Sequence, residues 1–115
     1  MNILSNLLVL IDPLFEGHAY RNVVPDSAVA PYAKFSRVSG IEGVTLDENG
    51  GTDNEMATRI QIDIFGNSDD VDTKTAGVKA ALKAWEVSNV VVLELDDYDA
   101  EVKLHRTILH VATIH

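Results

Sequence analysis

This sequence predicts an α+β fold, a mostly antiparallel sheet with two helices packed on one of its faces. Three observations lead there. In Thr58–Gly66, Ile60, Ile62 and Ile64 alternate with Arg59, Gln61, Asp63 and Phe65, which is the period of a strand with one buried face. Leu4, Leu7, Leu8 and Ile11, and again Val71, Thr75, Val78, Leu82 and Trp85, recur at the three- and four-residue spacings of an amphipathic helix. The elements run helix, strands, helix, strands, so the helices should gather on one side of a hairpin-built sheet.

The chain has 115 residues, which predicts a single domain with one core. With 46% hydrophobic and 23% charged residues it has the composition of a folded protein. Its 18 Asp and Glu against 9 Lys and Arg leave a formal charge of −9, and no two basic residues are adjacent. Gripping nucleic acid requires clustered cations on phosphates, so this chain alone is a poor candidate for it. The absence of cysteine removes disulfides, thiol nucleophiles and Cys-type metal sites. The first twelve residues are apolar but lack the positive start and cleavage site of a signal peptide, and they are too short to span a bilayer, so no membrane partner is expected.

Taken in order, the first helix rests on Leu4, Leu7, Leu8 and Ile11 and ends at Asp12-Pro13, because the residue before proline avoids the helical region. Val9 and Leu10 make its apolar face unusually wide. A short strand is expected over Tyr20–Val24, closed by Pro25, and a further strand over Pro31–Val38 with the proline at its first position. Ile41–Leu46 reads as extended, and Asn49-Gly50-Gly51 is a hairpin turn that would bring it antiparallel to residues 57–65. The second helix is predicted over Asp70–Trp85, capped by Ser68 or Asp69, with Lys74, Lys79 and Lys83 in solvent and Gly77 at a point of close packing. Val90–Leu95, a turn at Asp96–Asp99, and Glu101–Ile114 make a closing hairpin.

Chemistry is hard to find in this pattern. His105 and His110 differ by an odd number and point to opposite faces of one strand, whereas His105 and His115 share a face but stand roughly 33 Å apart, so they cannot hold one ion. Asp47–Thr58 departs from a calcium loop at its fifth, sixth and twelfth positions, where Gly51, Thr52 and Thr58 stand. Asp97, Asp99 and Glu101 lack the loop glycine and read as a solvated turn. No serine elbow or phosphate-cradling glycine loop occurs, and Asp63 is expected to meet Arg59 or Arg106 across the sheet. No catalytic residue, cofactor site or metal site is nominated.

The run Arg59-Ile-Gln-Ile-Asp-Ile-Phe-Gly66 with its helix Asp70–Leu82 resembles the tail-terminator or tail-completion proteins of tailed phages. So does its setting: the leucine-rich first helix ending in Asp12-Pro13-Leu14, Tyr20-Arg21, Ala30-Pro31-Tyr32, and Leu104-His105-Arg106 opening the last strand. Phe65 stands where that family more often has tryptophan. The resemblance implies a structural protein and not an enzyme. Such a protein forms a homo-oligomeric ring, commonly a hexamer, on the head-proximal end of the tail tube, stops tube polymerisation, and offers a surface to the head connector protein. It would be assembled in the host cytoplasm and reside in the virion tail, with DNA passing through the ring unbound. An acidic channel suits that passage, since it repels phosphates.

On this reading, Asp47, Glu48, Asp53 and Glu55 form an assembly loop at the tip of the predicted hairpin, the rival reading of the tip being a disordered loop with no role. Leu4, Leu7, Leu8 and Ile11 on the wide helix face, or an open edge of the sheet, would supply the subunit interface of the ring. The alternatives are another head–tail connector or minor tail component, a small-molecule-binding or enzymatic α+β domain, and an acidic regulatory module with a basic partner.

Overall fold

The computed structural model describes residues 2–42 and 56–115. Helix α1 (Ile3–Ile11) runs into a short 3-10 turn (Asp12–Phe15), then β1 (Ala19–Arg21), β2 (Tyr32–Glu42), β3 (Met56–Gly66), α2 (Ser68–Ala84), β4 (Ser88–Asp99) and β5 (Leu104–Ile114). The strands form one five-stranded sheet in the order β1-β2-β3-β5-β4. Three of its four pairings are antiparallel, and only the three-residue β1 runs parallel to its neighbour. Both helices lie on one face, so the α+β expectation holds.

The core explains this arrangement. Asn2 caps α1, its side-chain oxygen accepting from the Leu4 and Ser5 amides. Ile3, Leu4, Leu7 and Ile11 then bury against Phe15, Ala33 and Phe35 and against Ile60, Ile62 and Ile64 of β3. From α2, Val71, Val78 and Leu82 reach the same cluster, joined by Trp85, which follows the helix in an extended conformation where the sequence reading had the helix still running, and completed by Leu109 and Val111 from β5. A fully buried Leu or Ile contributes about 1.5–3 kcal/mol, so neither helix, marginal alone, persists away from this sheet. The helical stripe and the alternation of β3 therefore specify one another's positions.

Several boundaries depart from the sequence reading. The segments expected as separate strands around Pro31–Val38 and Ile41 are one strand, β2, which continues past a register shift between Arg37 and Ser39 that leaves Val38 as a bulge. Ile41 pairs with Ala57, as expected, and residues 43–46 lie outside the described residues. The α2 cap is Asn67, whose side chain accepts from the Asp70 amide at 2.8 Å, and not Ser68 or Asp69, because Ser68 already has helical hydrogen bonding. β4 runs through Asp96–Asp99 and the turn falls later; the carboxylate of Asp99 accepts there from the amides of Glu101 and Val102.

Two details of α2 differ as well. Lys74 does not stand free in solvent: its ammonium donates to the Leu14 carbonyl at 2.6 Å and lies 5.8 Å from the centre of the Phe15 ring. A methyl group added to Gly77 would meet only Leu14, at 4.0 Å, so close packing does not demand this glycine.

Candidate assembly surfaces

The helix-free face of the sheet is built by the second set of each alternating strand. Across one end of it runs the row Tyr32–Phe65–Arg106–Asp97, set by the registers of four strands. Tyr32 stacks on Phe65 with centroids 5.0 Å apart, Tyr20 meets Tyr32 edge-on, and the Arg106 guanidinium sits 5.9 Å from the Phe65 ring centre. Asp97 closes the row, accepting from Arg106 Nε at 2.9 Å and Nη2 at 2.6 Å. These bonds hold the Asp97 carboxyl below its ordinary value and push the Arg106 guanidinium up. Burial and the charge of Asp99 raise the Tyr32 phenol.

The middle of this face is polar. Gln61 donates from Nε2 to Asp63 Oδ1 at 2.9 Å, and its Oε1 lies 3.0 Å from His110 Nε2. The carboxylate of Asp63 is thus bound by Gln61, with its residue only 3% exposed, and forms no ion pair with Arg59 or Arg106. Towards β4 the face turns apolar: Val90, Leu93 and Leu95 stand exposed beside Ala112 and Ile108, and Ile114 is half exposed at the far end of β5. Among the described residues no helix covers these side chains, whereas Leu109 and Val111, on the other face of β5, are in the core. An apolar stripe rimmed by charge has the character of a protein contact.

The two edges carry opposite charge. On the β1–β2 side stand Arg21, Lys34 and Arg37; on the β4 side stand Glu94, Asp96, Asp97 and Asp99. Lys79 of α2 reaches Glu94 at 2.7 Å, and Thr107 donates to Asp96. Both edges also carry a bulge, at Val38 and, between Val91 and Leu93, at Val92. Bulges interrupt the ladder and blunt an edge against indiscriminate strand addition.

The residues singled out from sequence fall differently. Leu4, Leu7 and Ile11 are at most 1% exposed and Leu8 packs partly on the same cluster, so the chain's own core takes up the helix face proposed as a subunit interface. Val9 is the exposed apolar residue of α1. Of the two interfaces expected, the sheet edge remains open to a neighbour. Asp47, Glu48, Asp53 and Glu55 lie outside the described residues.

The histidines are separate: His105 packs edge-on against Tyr98, His110 meets Gln61, and His115 lies 3.0 Å from the Thr58 hydroxyl. Desolvation, with the charge of Arg37 behind it, lowers the His115 imidazole. Among the described residues no group of three His, Asp or Glu side chains is placed to hold a metal ion. No helix there is long and apolar enough to cross a membrane.

The residues that sequence reasoning missed are those of β4. Val90–Leu95 is apolar at nearly every position, the pattern of a strand buried on both faces, and yet it is an edge. The three carboxylates that follow it in the strand, Asp96, Asp97 and Asp99, were the available signal, since acidic side chains are tolerated on an edge and not inside a sheet.

No protein-family model matches the chain, and no curated protein sequence matches it. Among solved structures, the fold is similar to that of a chain in a structure described as the virion of a native gene transfer agent (GTA) particle. The TM-score is 0.50 at 15% sequence identity, over 94% of this chain and 82% of that one. At that identity the likeness is one of fold.

Proposed function

We propose that this chain is a structural component of a tailed-phage or phage-like particle, and within it the tail-completion or terminator protein. It assembles as a ring, a hexamer by the resemblance, on the head-proximal end of the tail tube. There it ends tube polymerisation and presents a surface to the head connector. The observation that carries the reading is the likeness in fold to a chain of a GTA virion over 94% of the length. It agrees with a resemblance drawn independently from residues 59–66 and their setting.

The described surface supports the same reading. It offers an apolar stripe and two open edges, which are features of assembly. The protein acts by contact and not by catalysis. Its charge of −9 leaves DNA free to slide past.

Deleting the gene from its phage or prophage and examining the particles by electron microscopy tests this. Headless tails of irregular length, restored to normal by supplying the protein, are expected. Tails of normal length that fail to join heads would assign it to the connector instead, and normal virions would remove it from the joining step.

A further inference from the structure

Beside β4, on the helix side of the sheet, a cleft of about 450 Å³ opens between α2 and the strand, lined by Asp72, Thr75, Lys79, Lys83, Glu94 and Asp96 among others. Lys79 is committed to Glu94. Asp96 holds only the Thr107 hydroxyl, and Asp72 has no partner among the described residues. The hydroxyl of Thr75, in a residue 7% exposed, lines the same wall and has no hydrogen-bond partner either. Three carboxylates, Asp72, Glu94 and Asp96, against Lys79 and Lys83 leave the cleft with one negative charge in excess beside an unpartnered hydroxyl, a site that accepts a donor of positive charge.

The chain carries such donors on its opposite edge. Arg21 and Arg37 are exposed and have no ion-pair partner among the described residues. Both occupy helix-side positions of their strands, as Glu94 and Asp96 do. The registers set Arg21 and Glu94 at the two ends of one row, Arg21–Phe35–Ile62–Leu109–Glu94. Four strand spacings of about 4.8 Å separate them, too far to pair within one molecule. A second molecule placed beside the first, with its sheet in the same orientation, brings its Arg21 to the height of Glu94 in this cleft and its Arg37 to the height of Val91, the next helix-side residue of β4.

We propose that the α2–β4 cleft receives the Arg21–Arg37 edge of a second copy of this chain, head to tail. The contact is heterologous, one patch on a different patch, so it closes into a ring or continues as a filament according to the angle between neighbours. This rests on the ring reading above for its biological setting only. Because both edges are bulged at Val38 and Val92, the join is made by side chains and not by a continued ladder of backbone hydrogen bonds. It is therefore steep in ionic strength.

The test is sedimentation of the full chain at low salt over a range of protein concentration, with two double variants, Arg21→Glu/Arg37→Glu and Asp72→Lys/Asp96→Lys. The wild type is expected to associate and to dissociate as salt is added. Each variant alone, with like charge on both edges, should associate about a hundredfold more weakly. An equimolar mixture of the two should recover the association, because each now complements the other. A wild type that stays monomeric at low salt and millimolar concentration overturns the proposal, as does association indifferent to either reversal or a mixture that recovers nothing. A working charge swap beside a gene deletion that leaves virions normal would retain this interface and remove the terminator role; abnormal tails beside an ineffective swap would do the reverse.

Discussion

Asp97 on β4 and Arg106 on β5 face each other across the hairpin and share two hydrogen bonds, at 2.9 and 2.6 Å. The pair has a pH signature. The folded-state value of Asp97 is depressed below its ordinary 3.8. Its contribution to stability is then complete above that value and is lost as pH falls through the lower folded one. Asp97→Asn should reduce stability to urea at neutral pH, and the difference from wild type should vanish under strongly acidic conditions. A difference unchanged by acid would mean that the carboxylate's charge is not what the pair uses.

Gly77 lies inside α2 with room for a side chain, its nearest prospective neighbour being Leu14 at 4.0 Å. Glycine in a helix interior costs about 0.5–1 kcal/mol relative to alanine. Gly77→Ala should therefore stabilise the fold by about that amount, read as a higher denaturation midpoint with an unchanged slope.

Removal of the Asn67 cap is expected to have the opposite sign. Its side chain satisfies the Asp70 amide at the start of α2. Asn67→Ala should cost about 1 kcal/mol, and Asn67→Asp, which keeps the acceptor and adds a negative charge at the helix N-terminus, should cost little or nothing. Thermal unfolding of the two variants side by side checks this.

Leu7 and Val9 separate core from surface on α1, at 1% and 75% exposure. Leu7→Ala should destabilise the monomer by about 2–5 kcal/mol through the cavity it leaves, whereas Val9→Ala should fall within about 0.5 kcal/mol of wild type. Were Leu7→Ala to leave folding intact and abolish only assembly, the helix face would be an interface after all.

The parts legible in the sequence are those where periodicity leaves a single geometric solution. Ile60, Ile62 and Ile64 reveal both the strand and its buried face, and Val71 through Trp85 reveal the helix that covers it. Capping was less legible, since Asn67, Ser68 and Asp69 are all good caps and the choice depends on where the backbone leaves β3. The turn expected at Asp96–Asp99 was misplaced because acidic residues favour turns locally, while pairing with Leu104–Thr107 keeps them extended.

By itself, then, the sequence determined the α+β class, the two amphipathic helices and the inward face of the central strand, all of which follow from local period and burial. Which strands lie at the edges is decided by non-local pairing, and only the tertiary structure contains it. That ordering places Arg21 and Arg37 on one side of the sheet and Asp96 on the other, hides Leu4, Leu7 and Ile11 in the core, and leaves Val90, Leu93 and Leu95 uncovered. The physical reason is that a strand's hydrophobic pattern records what lies above and below it, and nothing of what lies beside it.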